Sequence, residues 1–488
     1  MSPEPFSETK FERIQSGLEC TVVMLSELED SFRLDPEFYK KKYVLFERWA
    51  MKHPHTFIKN EAAFARKGIF DINAHEYTSE GVPFVRISNL KNMFIDGFNM
   101  AYISDNADKL NPKTHLSMGD VVLSKTGEPA ASIVNLPECN TSQDIIAIKL
   151  KKKASIIAEY LVAFFNTEEG KSALERRFTG NVQMHLNLTE CKEKIPIPLF
   201  SIEFQNYIKG LINKANKAFV KADEELTLAM NKLDLAIDSV SSIPNVTQQM
   251  LPANNVSIKN FSDVCESKRL DAEYYQNKYY VIESYLSSLP TTTINNEFKL
   301  IKNNPSKYYA YSGTIGVVKT KQLTHFGIDD SVEDFIKVKD LSVSGLSLLK
   351  KKDVVFASMG VGSLGKVGMF TGDGEYTTDS TLKIYRAKDT CRVLPEVLLV
   401  YLGSRWAQEL IYRYVVGSTG IINIYDTDIN KIPVPLLNHD DQIDIANHIT
   451  NFYSYKNLAN KFLKLATYYI DFAISKSEEE AIFAIKNQ

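Results

Sequence analysis

Long apolar runs are missing from this chain of 488 residues, and no stretch of about 18 or more apolar residues is present to span a bilayer. The first residues, MSPEPFSETKFERIQ, carry acids and no apolar core of a secretory signal, so a cytoplasmic protein with no membrane association is expected. Cysteine is scarce: Cys20, Cys139, Cys191, Cys265 and Cys391 are scattered and never form CxxC, which argues against a disulfide framework and a thiolate zinc site. His53 and His55 are the only close histidines, and HxH without neighbouring carboxylates or thiols predicts no metal. Charge of one sign is also lacking. A net charge of −3 excludes nucleic-acid binding by bulk electrostatics alone but permits local basic surfaces, such as Lys40 with Lys41 and Lys42, KLKKK at 149–153, and Lys350 with Lys351 and Lys352.

Catalytic signatures are absent as well. No Pro-Pro dipeptide occurs, so there is no (D/N)PPY box of the kind on which adenine methyltransferases hold a flipped base. Neither a GxxxxGK(S/T) phosphate loop nor a GxSxG nucleophile elbow is present, and no Pro-Asp dipeptide begins a nuclease metal site. One candidate fingerprint stands: Gly360, Gly362 and Gly365 spell GxGxxG after a strand-like run. A dinucleotide site needs a helix next, and KVGMFTGDGEYTTDS has no helical period, so these glycines are expected to form a strand-to-strand turn. In that reading Asp379 matches Asp144.

What is present is 44% apolar and 24% charged residues, the balance of a globular protein of two to four domains, and a repeat. RLDPEFYKKKY from Arg33 matches RLDAEYYQNKY from Arg269 at an offset of 236, and DVVLSKTG from Asp120 matches DVVFASMG from Asp353 at 233. From Glu159 the match runs ungapped at 237, pairing Gly180 with Gly417, KIPIP at Lys194 with KIPVP at Lys431, and Gln205 with Gln442. The stretch 43–83 has no visible counterpart around 279–334.

Each copy holds short β-branched and aromatic runs, VPFVRISNL, DVVLS and DIIAIKL, then DFIKVKDLS, DVVFAS and TLKIYR, together with helical patterns such as AEYLVAFFNTEEGKSALERRF. A long helix follows each. Ile208, Leu211, Ala215, Phe219, Ala222, Leu226, Ala229, Leu233 and Ile237 recur at threes and fours, and Ile445, Ile449, Phe452, Ala459, Phe462, Leu465, Tyr469 and Ala473 form a comparable seam. About 35 helical residues span roughly 50 Å, more than one globule covers, so the helices are expected to pack on each other or on another chain. The predicted fold class is α+β: two repeated α/β modules separated by two long helices in an antiparallel coiled coil, with pseudo-two-fold symmetry. The predicted boundaries are an N-terminal extension 1–25, a first module 26–200, a central spacer helix 201–242, a linker 243–259, a second module 260–437, a distal spacer helix 438–476 and a tail 477–488.

The doubled order of GDVVLSKTG or KDVVFASMG, then SQD or TTD, then a Gly-containing segment, KIPIP or KIPVP, a glutamine and a long helix resembles the specificity subunit of type I restriction-modification systems. The resemblance covers nearly the whole chain. GSLGK from Gly362 fits the turn of that family better than GEPAAS of the first copy. It implies that each module is a target-recognition domain, that the chain is not an enzyme, and that it reads a bipartite double-stranded DNA site while docking two adenine methyltransferase subunits and motor-nuclease restriction subunits. No cofactor is implied for this chain; S-adenosylmethionine, ATP and Mg²⁺ belong to those partners. Other readings are a specificity subunit of a related methylation-guided defence system, a protein-interaction scaffold that binds no DNA, and a free-standing nuclease.

DNA recognition needs cations or hydroxyls that hold phosphates and side chains that read base edges. Candidates are Arg86, Ser88 and Asn89 in VRISNL, with Lys337, Lys339 and Asp340 of IKVKDL in matching strand-end slots. Lys125 and Thr126 match Ser358 and Met359. Asn181, Gln183 and His185 align with Ser418, Gly420 and Ile422, and Asn423 completes the set. Lys214, Lys217 and Lys221 on the long helix are expected to face solvent or a partner.

Overall fold

The structure, a computed structural model, describes residues 7–14, 18–28, 33–91, 93–180, 184–240, 256–304, 306–329, 331–417 and 421–487. Candidates Asn181, Gln183 and Ser418, with Gly420, lie outside the described residues. The chain is mixed helix and sheet and divides into two units: unit 1 is Met1–Phe219 with Lys456–Gln488, and unit 2 is Val220–Tyr455. No helix among the described residues is long and apolar enough to cross a membrane.

In unit 1, six strands carry the framework: β1 (Ala62–Lys67), β2 (Val82–Val85), β3 (Val121–Ser124), β4 (Ala131–Ile133), β5 (Glu138–Thr141) and β6 (Ile145–Leu150). β1, β6, β3 and β4 lie side by side in one sheet, all antiparallel, while β2 pairs parallel with β5 in a second. Unit 2 repeats this with β7 (Phe298–Lys302), β8 (Ile315–Val318), β9 (Val354–Ala357), β10 (Val367–Met369), β11 (Tyr376–Thr378) and β12 (Leu382–Ala387). Its orders are β7-β12-β9-β10 and β8 parallel to β11. The continuous apolar character of DVVLS and DVVFAS follows from this placement, since all four residues of β3 and of β9 are buried.

The stretch 43–83 does have a counterpart. Helix Lys41–Lys52 answers to helix Asn277–Ser287, and PHTFIKNE from Pro54 answers to PTTTINNE from Pro290. In both, a threonine hydroxyl donates to a buried glutamate, Thr56 to Glu61 at 2.6 Å and Thr292 to Glu297 at 2.8 Å. Each glutamate also accepts a distant main-chain N–H, from Ser155 or Arg392, at 2.6 Å. The correspondence is hard to see in sequence because the polar network is kept while the surrounding surface residues are not.

The long helices are α1 (Ile202–Val240) and α2 (His439–Ser475), and each contributes to both units. In unit 1, Ile208, Ile212, Ala215 and Ala218 pack with Ala459, Leu463, Ala466 and Ile470. In unit 2, Ala222, Leu226, Ala229 and Leu233 pack with Ile445, Ile449 and Phe452. Small alanines let the helices approach closely, and each buried Leu or Ile stabilises by about 2 kcal/mol. Within each unit the helices run antiparallel: Lys214 stands over Phe462 in unit 1, while in unit 2 Lys221 stands over Tyr455, Glu225 bonds His448 and Lys232 bonds Asp441 and Asp444. Lys214 and Lys221 therefore lie across the partner helix.

Gln205 and Gln442 fix each long helix to its module. Both are buried. Gln205 accepts from Ile157 N and donates to Ser155 O and Phe200 O, all at 3.0 Å. Gln442 accepts from Leu394 N at 2.9 Å and donates to Arg392 O and Leu437 O at 3.0 and 3.1 Å. With every amide atom satisfied, each glutamine holds its helix start at a set angle, and no shorter side chain could make all three bonds.

Candidate nucleic-acid interface

In unit 1 four loop segments are joined by a row of main-chain hydrogen bonds. Ser142 N donates to Val85 O at the end of β2 (2.9 Å), and Lys125 N donates to Asp144 O (2.7 Å). Leu186 N donates to Lys125 O (2.7 Å), and Gly127 N donates to Met184 O (3.3 Å). Unit 2 forms the same row: Asp379 N to Val318 O at 3.1 Å, Ser358 N to Thr381 O at 3.1 Å, Ile424 N to Ser358 O at 3.0 Å, and Gly360 N to Ile422 O at 2.9 Å. The turn after β3 and β9 requires the left-handed region, with φ of 74° at Gly127 and 100° at Gly360. A Cβ on Gly127 would meet nothing within 4 Å, so conformation and not space selects glycine there.

The row brings Lys125, Thr126 and His185 together in unit 1, where Thr126 and His185 form a β-bridge, and Ser358, Met359 and Asn423 together in unit 2, where Met359 and Asn423 form the matching bridge. The partner of His185 is thus Asn423, one residue beyond the ungapped alignment with Ile422, because the 417–423 loop is one residue longer than 180–185. Likewise Asp379 occupies the slot of Ser142, and Thr381 that of Asp144. Asp379 uses its carboxylate to accept from Thr381 N at 3.0 Å, so the acid is a local turn device and does not repeat.

Arg86 follows β2 directly, next to Val85 of the row; its Nη2 donates to Asn99 O at 2.6 Å. Ser88 is exposed. Asn89 is fully buried, accepts from Arg86 N at 3.1 Å and donates to Asp96 O at 2.9 Å, which leaves it a turn-builder with no edge free for a base. Thr126 and Ser358 are buried too, and the Ser358 hydroxyl donates to Thr381 O at 3.0 Å.

The pairing of Arg86, Ser88 and Asn89 with Lys337, Lys339 and Asp340 is overturned. DFIKVKDLS forms strand only at Phe335–Ile336 and then turns into helix Val338–Ser344. Ile336 pairs with Ile315, so Lys337 and Lys339, both exposed, lie beyond the start of β8, away from its Val318 end. The true counterparts are Lys319, Lys321 and Gln322: Gln322 repeats the bonds of Asn89, accepting from Lys319 N at 3.1 Å and donating to Ser331 O at 3.2 Å. These were missed although the offset of 233 from DVVLSKTG, applied to VPFVRISNL, leads directly to IGVVKTKQL.

The strands beside the row also end in cations that the sequence reading passed over. Lys67 ends β1 opposite Ile146, and Lys302 ends β7 opposite Lys383. Their electrostatics differ. Lys302 and Lys383 both pair with Asp426, and Lys319 pairs with Asp334. Among the described residues, Lys67, Arg86 and Lys125 form no ion pair. The KLKKK run is structural in part: Lys149 pairs with Asp120 at 3.5 Å and Lys151 donates to Asn60 O at 2.5 Å.

The glycines of GVGSLG form the hairpin between β9 and β10, in which Leu364 N donates to Gly360 O at 2.9 Å and Gly365 N to Ala357 O at 3.0 Å. The strand β10 follows them directly. His53 and His55 each bond a main-chain carbonyl at 2.8 Å through Nδ1. No group of three or more His, Cys, Asp or Glu able to hold a metal occurs among the described residues.

No family model matches the sequence, and no curated protein matches it. Among solved structures the chain is similar to the type I restriction-modification S subunit from M. genitalium, with a TM-score of 0.37 and 11% identity over 87% of this chain and 95% of that one. It is also similar to the HsdS subunit from Thermoanaerobacter tengcongensis, with a TM-score of 0.26 and 12% identity over 87% and 97% of the two chains. A chain from a structure of type I R-M complex assembly and conformational transition gives 0.26 and 12% over 85% and 97%. At these TM-scores the likeness carries no further weight.

Proposed function

We propose that this chain is the sequence-specific DNA-recognition subunit of a type I-like restriction-modification complex, acting on cytoplasmic DNA without a catalytic centre of its own. The observation that carries the reading is the same main-chain row in both units with different side chains in its slots: Lys125-Thr126 against Ser358-Met359, His185 against Asn423, Arg86 against Lys319. A duplicated scaffold with divergent loop chemistry suits two half-sites of different sequence, since phosphates need the same support everywhere and bases do not. The residue pattern that resembles the specificity subunit family points the same way.

In this reading 26–200 and 260–437 are the target-recognition domains, and 201–242 with 438–476 are spacers that set the gap between half-sites. Two adenine methyltransferase subunits and motor-nuclease subunits supply catalysis, with S-adenosylmethionine, ATP and Mg²⁺ bound on those chains. Lys67, Arg86, Lys125 and His185 in unit 1, and Lys302, Lys319 and Asn423 in unit 2, are the DNA-facing set. Co-expression with the cognate methyltransferase tests this. The complex is expected to methylate adenines in two half-sites at a fixed gap, and two heptads inserted into each long helix should change the gap and keep both half-sites. Cleavage or methylation of DNA by the purified chain alone would overturn the reading.

A further inference from the structure

The left-handed glycine of each row is followed by an exposed residue in an equivalent slot: Glu128 after Gly127 in unit 1, and Val361 after Gly360 in unit 2. The two side chains differ in kind, a carboxylate against an aliphatic chain. Val361 is 67% exposed, and Ile421, which precedes the residue whose carbonyl accepts from Gly360 N, is 73% exposed. One exposed aliphatic chain needs no explanation, whereas two that flank a single main-chain bond of the row do.

The hairpin beneath each slot is fixed. In unit 1, Ser124 Oγ donates to Glu128 O and accepts from Ala130 N, both at 2.8 Å. In unit 2, Leu364 is buried, Lys366 N donates to Ser363 O at 3.0 Å, and Gln408 Nε2 donates to Gly365 O at 2.9 Å. Val361 therefore stands on main chain that is already ordered, and a contact made there costs little further entropy.

Glu128 indicates what the slot addresses. It forms no ion pair among the described residues, and a carboxylate turned toward phosphates would be repelled by them. On a DNA-facing row an acid is useful against a base edge, where it accepts from an exocyclic amine such as N4 of cytosine. An aliphatic chain in the same slot accepts nothing, and the apolar group that base pairs offer in the major groove is the 5-methyl of thymine. We propose that Val361, with Ile421 beside it, reads the 5-methyl group of a thymine in the half-site of unit 2. This rests on the functional reading above and names the base chemistry that the slot selects.

The complex of the full chain with its methyltransferase should be titrated with a duplex bearing the motif found by methylome sequencing. Each thymine of that motif not paired with a methylated adenine is replaced in turn by deoxyuridine, which removes one methyl group and keeps every hydrogen bond. Wild type is expected to bind about fourfold more weakly at one such replacement, the loss that exposure of one buried methyl implies. Val361→Ser combined with Ile421→Ser should lose about as much on the thymine duplex and then bind the thymine and deoxyuridine duplexes equally, with thermal melting unchanged. A double variant that keeps the wild-type sensitivity at every thymine overturns the proposal. So does a wild type indifferent to all the replacements, or a motif with no such thymine, and each of these leaves the functional reading intact. A wild-type complex that binds this duplex and an unrelated one equally sinks both.

Discussion

In unit 1, Glu47 holds two buried guanidinium groups, with Arg177 Nη2 at 2.9 Å and Arg176 on the same oxygen; in unit 2 the equivalent Glu283 holds one, Arg413, at 2.7 Å. At the row of loops the contrast is reversed: unit 1 leaves Lys67, Arg86 and Lys125 without ion pairs among the described residues, and unit 2 neutralises Lys302 and Lys383 on Asp426. The framework has therefore stayed the same in bonding pattern while charge compensation has moved, inward in unit 1 and outward in unit 2.

The inward difference gives the largest expected effect. Glu47→Gln takes the shared carboxylate from two buried guanidinium groups, although Arg177 keeps Glu190 and Arg176 keeps Phe38 O, so it should cost about 3 kcal/mol and Glu283→Gln, which serves one guanidinium, roughly half as much, read from urea denaturation of the full chain. Equal costs would break the comparison. At the row, Arg86→Gln combined with Lys125→Gln should weaken DNA binding by the methyltransferase complex about tenfold and lower the salt slope by about two. Asp426→Asn should act in the opposite sense, tightening binding a few-fold on cognate and unrelated DNA alike, because it frees two ammonium groups. A loss of affinity from Asp426→Asn would mean that the carboxylate itself reads the DNA.

The smallest effect concerns equivalent acids on the long helices. Asp234 accepts from Trp406 Nε1 at 2.7 Å and faces Arg405. Asp471 instead faces the start of helix Glu168–Arg177, where burial pushes its carboxyl up to about 6 and the N–H groups of Glu168 and Glu169 offset only part of that cost. Burial, with Asp471 as a lesser cause, also raises Glu169. A raised carboxyl contributes stability while protonated, below about pH 4, and loses it as pH rises through about 6. Asp471→Asn should therefore raise Tm by about 1–2 °C at pH 7.5 and leave it unchanged at pH 4, whereas Asp234→Asn should lower it slightly. Scanning calorimetry at the two pH values checks both signs.

Much of this was legible in the sequence where a pattern is dictated by burial. DVVLS and DVVFAS read as buried strands, and the threes and fours of Ile208 to Ile237 read as a helix seam, because apolar spacing is the direct imprint of packing. The glutamine after KIPIP or KIPVP was visible as a repeated position, although its three bonds were not. What failed was anything carried by polar networks or by gaps. PHTFIKNE and PTTTINNE share a Thr-Glu bond that no apolar period reveals, and DFIKVKDLS alternates like a strand yet turns helical after two residues, which moved Lys337 and Lys339 into a slot that belongs to Lys319 and Lys321. Asn89 looked like a base reader because sequence does not show that its amide is already spent on its own turn.

The central claim is that two equivalent modules of one chain each choose half of a DNA target. Methylome sequencing of the host with the wild-type gene, with the gene deleted, and with residues 124–130 replaced by an unrelated turn tests it most directly. The account predicts a bipartite adenine motif that disappears on deletion and that, with the replaced turn, loses or changes one half while the other half and the gap stay the same. An unchanged set of methylated motifs after deletion would contradict it.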